Sequence, residues 1–66
     1  MSAEEFREAR RRLGLTQQQL AAALEIALFT VKCYERGTWS DGRPASVPRT
    51  VALALEALEA RDQRAR

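Results

Sequence analysis

The sequence predicts an all-α fold, a compact bundle of four to five helices in a single domain of 66 residues. Helix-capping pairs begin at Ser2 and Thr16, and apolar residues recur at three- and four-residue spacing. Gly14 and Gly37 stand where two of these segments would end. A chain of this length buries one small core, near the lower limit for folding without disulfides or metals.

The first helix is predicted over residues 3–13. Ser2 and Glu5 form an S-x-x-E capping box, and Gly14 breaks the helix. Its inward face is expected to comprise Phe6, Ala9 or Arg10, and Leu13. The basic run at residues 10–12 fits either a solvated helix end or a nucleic-acid patch, and we favour the solvated helix end.

The next two helices, over residues 17–24 and 28–36, are predicted to form a helix-turn-helix at the centre of the bundle. Thr16 and Gln19 cap the first of them, and Gly37 follows the second. The apolar positions that would hold the two helices together are Leu20, Ala21, Leu24, Ile26, Val31 and Tyr34. The second helix of such a unit enters the DNA major groove.

A loop over residues 38–47 precedes a last helix, predicted over residues 48–61 with Pro48 at its start. Residues 62–66 are expected to be frayed. The stripe that faces the core comprises Val51, Leu55 and Leu58. A second apolar side carries Leu53, Ala57 and Ala60, which we expect to form the seam of a homodimer. The alternative is that this side only closes over the first helix.

Composition argues against several classes of function. The chain has no histidine and a single cysteine, so neither a zinc site nor an intramolecular disulfide is expected. No nucleophile–base pair or glycine-rich phosphate loop is present, and we expect no enzymatic activity, no cofactor and no small-molecule ligand. Without an apolar run of membrane-spanning length or a signal-peptide core, we expect a soluble cytoplasmic protein with no membrane partner.

Net charge is only +2, but its distribution is informative. Residues 28–50 contain four basic residues against two acidic ones, whereas residues 56–66 are balanced. The excess of positive charge therefore lies in the part of the chain that a helix-turn-helix presents to DNA.

Specific residues also carry a family resemblance. Leu-Thr-Gln-Gln-Gln-Leu-Ala at positions 15–21, Thr30-Val31 and Tyr34-Glu35-Arg36-Gly37 resemble the Cro/lambda-repressor (Xre-type) helix-turn-helix family. The resemblance covers roughly residues 6–58 and implies a lambda-repressor-like fold that binds double-stranded DNA. The compact form also resembles short phage or mobile-element autorepressors, including the anti-CRISPR-associated type.

The resemblance implies two sets of DNA contacts. The base-reading positions are Ala27, Leu28, Phe29, Lys32, Cys33 and Arg36. The DNA-backbone positions are Gln17, Gln18, Thr38, Trp39, Arg43 and Arg49. Leu28 and Phe29 could contact thymine methyl groups or form a protein-binding patch instead.

Several of these residues have a purely structural alternative. Trp39 could cover the edge of the core, Arg43 and Gln18 could be solvated, and Cys33 is expected to be inert rather than a redox switch. The family also implies an ion pair between Arg10 and Glu35 that ties the first helix to the third.

One position departs from the family pattern. Glu25 stands in the turn where the family prefers glycine, because this residue often adopts a positive φ. We expect its carboxylate to point away from DNA phosphates.

The resulting hypothesis is a sequence-specific DNA-binding transcriptional regulator. We expect a repressor that occupies an inverted-repeat operator as a homodimer in a bacterial or phage-infected cell. The alternative is a protein-interaction module, such as an antitoxin-like or adaptor helix-turn-helix, that uses the apolar Leu28 and Phe29.

Overall fold

The computed structural model describes residues 1–64 and confirms the all-α fold. Four helices follow one another along this part of the chain. They are α1 (Ala3–Leu13), α2 (Gln17–Leu24), α3 (Leu28–Arg36) and α4 (Arg49–Arg64). Among the described residues, none of these helices is both long and apolar enough to cross a membrane.

Capping chemistry fixes the start of α1 and α2. The Ser2 hydroxyl accepts a hydrogen bond from the Glu5 backbone N–H at 3.0 Å, and the Ser2 N–H donates to the Glu5 carboxylate at 2.8 Å. Thr16 and Gln19 repeat this reciprocal pair at 3.0 and 2.9 Å. Both pairs satisfy backbone donors that the first turn of a helix leaves free.

A residue in the left-handed conformation ends each of the first three helices. Gly14 has φ 70° after α1, and Gly37 has φ 90° after α3. The residue after α2 is Glu25, with φ 57°, as expected for the position where the resembled family prefers glycine. The short turn from Glu25 leads through Ala27, which precedes α3 without a side-chain cap.

The last helix differs from its predicted bounds. It begins one residue later than predicted, at Arg49, because Pro48 stands before the helix and its carbonyl accepts from the Ala52 N–H at 3.0 Å. It continues to Arg64, so the prediction that residues 62–64 are frayed is wrong. Residues 62–64 contain no glycine or proline, so nothing in their sequence breaks α4 at residue 61. Positions 65–66 of the predicted frayed tail lie outside the described residues.

The core lies between α1, α2, α3 and the buried stripe of α4. Its fully or nearly fully buried apolar members are Phe6, Ala9, Leu20, Ala21, Val31, Cys33, Tyr34, Ala45 and Leu55. Partly buried residues surround them, and these include Leu13, Leu24, Ile26, Leu28, Val51 and Leu58. The predicted inward faces are therefore correct, while Cys33 and Ala45 are core members that the sequence pattern did not indicate.

A small hairpin, residues 37–45, connects α3 to the segment before α4. The Ala45 N–H donates to the Gly37 carbonyl at 2.9 Å, and the Trp39 N–H donates to the Arg43 carbonyl at 2.8 Å. At the tip, the Gly42 N–H donates to the Trp39 carbonyl at 3.0 Å, and Gly42 has φ 88°. These bonds make an ordered loop that returns to the core through buried Ala45.

Candidate nucleic-acid interface

One side of α3 packs into the core and the other side is open. Ala27, Phe29, Lys32 and Arg36 are exposed, and 53% of the Phe29 surface is accessible. Leu28 differs from these four because it is half-buried and packs against the core. The structure thus places three of the six predicted base-reading residues, Phe29, Lys32 and Arg36, on one accessible side of α3, which we call the α3 face, and leaves Ala27 exposed just before the helix.

Cys33 is not part of the α3 face, and its prediction as a base-reading residue is wrong. It is 0% exposed and belongs to the core cluster. Its thiol accepts a hydrogen bond from Arg36 Nη2 at 3.6 Å. Phe29 lies one helical turn before Cys33 on α3. Because the thiol is buried, it cannot touch a base edge or form a disulfide with a second chain without local opening. Its expected role as an inert small side chain fits this position.

Arg36 is exposed but folds back over the C-terminal end of α3. Its Nε donates to the Thr38 hydroxyl at 3.2 Å, and its Nη2 donates to the Thr38 carbonyl at 3.1 Å. Two predicted DNA contacts, Arg36 and Thr38, are therefore bonded to each other. A base contact by Arg36 would require this guanidinium to leave Thr38, whereas a phosphate could approach its outer edge.

Lys32 is the unpaired cation of the α3 face. Its side chain is exposed and makes no hydrogen bond or ion pair with any residue from 1 to 64. A free ammonium group on a long stem can reach a phosphate or the acceptor atoms of guanine at little structural cost.

All four aromatic residues of the chain lie in one continuous series that ends at the α3 face. The Phe29 ring stacks on the Trp39 ring with centroids 6.4 Å apart and planes at 29°. Trp39 meets Tyr34 edge to face at 5.8 Å, and Tyr34 meets Phe6 in the same way at 5.7 Å. Burial raises the pKa of Tyr34 above its ordinary value. The series anchors the exposed Phe29 ring to the interior of the molecule.

Arg43 projects from the hairpin and is paired with a neighbour. Its Nε donates to Asp41 Oδ2 at 2.7 Å, and its backbone N–H donates to Asp41 Oδ1 at 3.0 Å. The bond from the Arg43 backbone N–H, and to a lesser extent the bond from its side chain, holds the pKa of the Asp41 carboxyl below its ordinary value. Arg43 is highly exposed, so it can still meet a phosphate, but Asp41 competes with that phosphate for the guanidinium.

A buried polar network holds α3 against α1 and α2. Arg10 donates to both carboxylate oxygens of Glu35, at 2.6 and 3.0 Å, and the implied ion pair is therefore present. Arg10 also donates to the Leu15 carbonyl at 3.0 Å. Gln17, at the start of α2, donates to Glu35 at 3.3 Å. This structural contact of Gln17 was not anticipated, because the resemblance implied a DNA-backbone contact and the alternative was an exposed helix former.

The other predicted site residues are accessible. Gln18 is exposed in the first turn of α2, and Arg49 is exposed at the first position of α4. Residues 1–64 supply no hydrogen-bond or ion-pair partner for either side chain. The predicted dimer residues Leu53, Ala57 and Ala60 are also exposed, on the side of α4 opposite buried Leu55.

Among residues 1–64, no group of three or more histidine, cysteine, aspartate or glutamate side chains is placed so that it could hold a metal ion. Comparison of the chain with protein-family models, with curated proteins and with solved structures found no match.

Proposed function

We propose that this chain is a sequence-specific DNA-binding transcriptional regulator, acting as a repressor that binds an inverted-repeat operator as a homodimer. The observation that carries the proposal is the α3 face. It combines an unpaired lysine, a half-exposed phenylalanine and an arginine on a helix whose opposite side is locked into the core. A helix offered in this way after a short turn suits insertion into a major groove.

Electrostatics favour a polyanion at this surface. Lys32, Arg36, Arg43 and Arg49 are all exposed in the stretch from α3 to the start of α4. Of the two acidic residues in that stretch, Glu35 is buried and neutralised by Arg10. Only Asp41 remains as an exposed negative charge, and the local excess of positive charge is larger than the sequence count suggests.

The buried network supports a fixed reading geometry. Glu35 on α3 binds Arg10 of α1 and Gln17 of α2, so one carboxylate ties together three helices. A recognition helix that is already held rigidly loses little conformational entropy when it binds. The same network leaves the α3 face free, because its atoms lie on the inner side of the helix.

The exposed side of α4 supports the dimer. Leu53 is 50% exposed, and Ala57 and Ala60 continue the same side at helical spacing. Two copies joined here by a two-fold axis would present two α3 faces, and half-sites about one DNA turn apart would match them. Such a repressor would work in the cytoplasm of a bacterial or phage-infected cell by excluding polymerase from a promoter.

One observation favours a second function, a protein-interaction module. Phe29 and Trp39 together present apolar surface, and an exposed aromatic pair can anchor a protein partner. Leu28 adds little to that patch because it packs against the core. The exposed cations Lys32 and Arg36 on the same side of α3 make a nucleic-acid partner the better match.

Selection from random duplex DNA tests the proposal. The purified protein is incubated with the library at low salt, and bound sequences are read after several rounds. We expect an enriched inverted repeat. Failure to enrich any sequence, with the protein shown by circular dichroism to be folded, would overturn the proposal and direct the search to protein partners of Phe29.

A further inference from the structure

We propose that Phe29 reads the 5-methyl group of thymine, and that Trp39 is the positioning residue that holds the Phe29 ring for this contact. This inference rests on the proposed function, which names double-stranded DNA as the partner but not the base that the α3 face selects. The Phe29 and Trp39 rings stack with their centroids 6.4 Å apart, and Trp39 in turn contacts Tyr34 of the core.

The orientation of the Phe29 ring is constrained from behind. Trp39 covers one side of the ring, and Tyr34, itself buried, covers Trp39 at 5.8 Å. The hairpin bond from the Trp39 N–H to the Arg43 carbonyl fixes the tryptophan backbone. About half of the Phe29 surface remains accessible, so the ring offers one apolar area in a defined place.

Thymine is the base that matches such an area. In the major groove each base pair presents donors and acceptors, and thymine alone adds a methyl group. A phenyl ring has no hydrogen-bonding atom, so packing it on a polar base edge would leave that edge without a partner. The ring therefore favours thymine by burying its methyl group and disfavours the other bases by desolvating them.

Phe29 is the reading residue rather than Leu28. The Leu28 side chain is half-buried and packs against the core, whereas the Phe29 side chain is exposed on the same side of α3 as Lys32. An apolar point with a free cation next to it is complementary to a methyl group that lies between phosphate backbones.

The test replaces thymine by deoxyuridine, which removes only the methyl group. Duplexes carry the selected operator with one thymine replaced at a time, and affinity is measured by fluorescence anisotropy for each. At one position in each half-site we expect about fourfold weaker binding, which is the loss in affinity that removal of one buried methyl group usually causes. Replacement at both symmetric positions should weaken binding about 15-fold.

Variants assign the effect to a residue. Phe29→Ala should bind the thymine and deoxyuridine duplexes equally well, whereas Arg11→Ala, at an exposed position of α1 outside the proposed DNA contacts, should keep the full difference. Trp39→Ala should reduce the difference without changing the salt dependence of binding, and Trp39→Phe should restore it. A merely structural role of Trp39 would instead lower affinity for both duplexes alike.

A thymine preference that persists in Phe29→Ala would overturn this inference, and so would two results with the parent protein. Tight operator binding with no sensitivity to deoxyuridine at any position would overturn this inference and leave the proposed function intact. A selected half-site without any thymine would overturn it as well. Absence of binding to every duplex would overturn the proposed function, and this inference with it.

Discussion

Arg10 of α1 and Glu35 of α3 form a two-bonded ion pair across 25 positions of sequence, with Nε to Oε2 at 2.6 Å and Nη2 to Oε1 at 3.0 Å. The Glu35 side chain is 6% exposed and that of Arg10 is 18% exposed. The hydrogen bonds to Glu35 raise the pKa of Arg10, and burial offsets part of this effect. The pair is thus a structural link that orients the α3 face.

Breaking this pair should destabilise the fold. Glu35→Gln leaves the partly buried Arg10 without its carboxylate and should lower the free energy of unfolding by about 2 kcal/mol, less than for a fully buried pair. Glu59→Gln removes the half-buried partner of exposed Arg12 and should cost under about 1 kcal/mol, because the pair is screened by solvent. Urea denaturation measures both. Equal losses in the two variants would contradict the structural role of the Arg10–Glu35 pair.

The strained turn residue offers a stabilising change. Glu25 has φ 57°, a conformation that costs an ordinary side chain about 1–2 kcal/mol and glycine almost nothing. After the entropy that glycine adds to the unfolded chain, Glu25→Gly should raise the melting temperature by about 4 °C. Ala23→Gly, inside α2, should lower it. A lower melting temperature for Glu25→Gly would show instead that the Glu25 side chain stabilises the folded state by more than its positive φ costs.

Local chemistry explains why so much of the fold could be predicted. The bounds of α1, α2 and α3 agree with the structure because near neighbours in sequence set most of them. Ser2 with Glu5 and Thr16 with Gln19 start α1 and α2, and Gly37 ends α3. Within α4 no glycine or proline marks a stop at residue 61, where the sequence analysis ended the helix. Helix bounds without such a local signal are the least certain to place from sequence.

The candidate site was harder to predict because it depends on how distant segments meet. Helical spacing places Cys33 on the outer side of α3, but the structure packs it into the core, next to Arg36. The stacking of Phe29 on Trp39 joins α3 to the hairpin, and no local pattern specifies it. The Gln17–Glu35 contact likewise requires the packing of α2 on α3.

The hairpin carboxylate should restrain DNA binding. Asp41→Asn keeps an oxygen for the Arg43 backbone N–H but removes the charge that competes for the guanidinium. Affinity for the selected operator should rise about fivefold at low salt. Anisotropy titrations measure this gain. It should disappear in the double variant with Arg43→Ala, and a gain that persists there would show that Asp41 acts on DNA without Arg43.

The exposed side of α4 should mediate self-association. Leu53→Asp places a charge at the predicted seam of both protomers and should weaken dimerisation by about 30-fold, or about 2 kcal/mol. The fold should survive because Leu53 lies opposite buried Leu55. Sedimentation equilibrium measures the change, with Gln63→Glu as a control of equal charge on the same helix. Unchanged dimerisation in Leu53→Asp would place the seam elsewhere.

Two charge-neutralising variants test whether the α3 face contacts DNA. Lys32→Gln removes the free cation of that face, and Arg11→Gln removes an exposed charge on α1, so both lower the net charge by one. Operator affinity is measured for each over a range of salt concentrations. We predict about tenfold weaker binding and a smaller salt slope for Lys32→Gln, with parental behaviour for Arg11→Gln. Equal effects of the two substitutions, or none, would contradict the account.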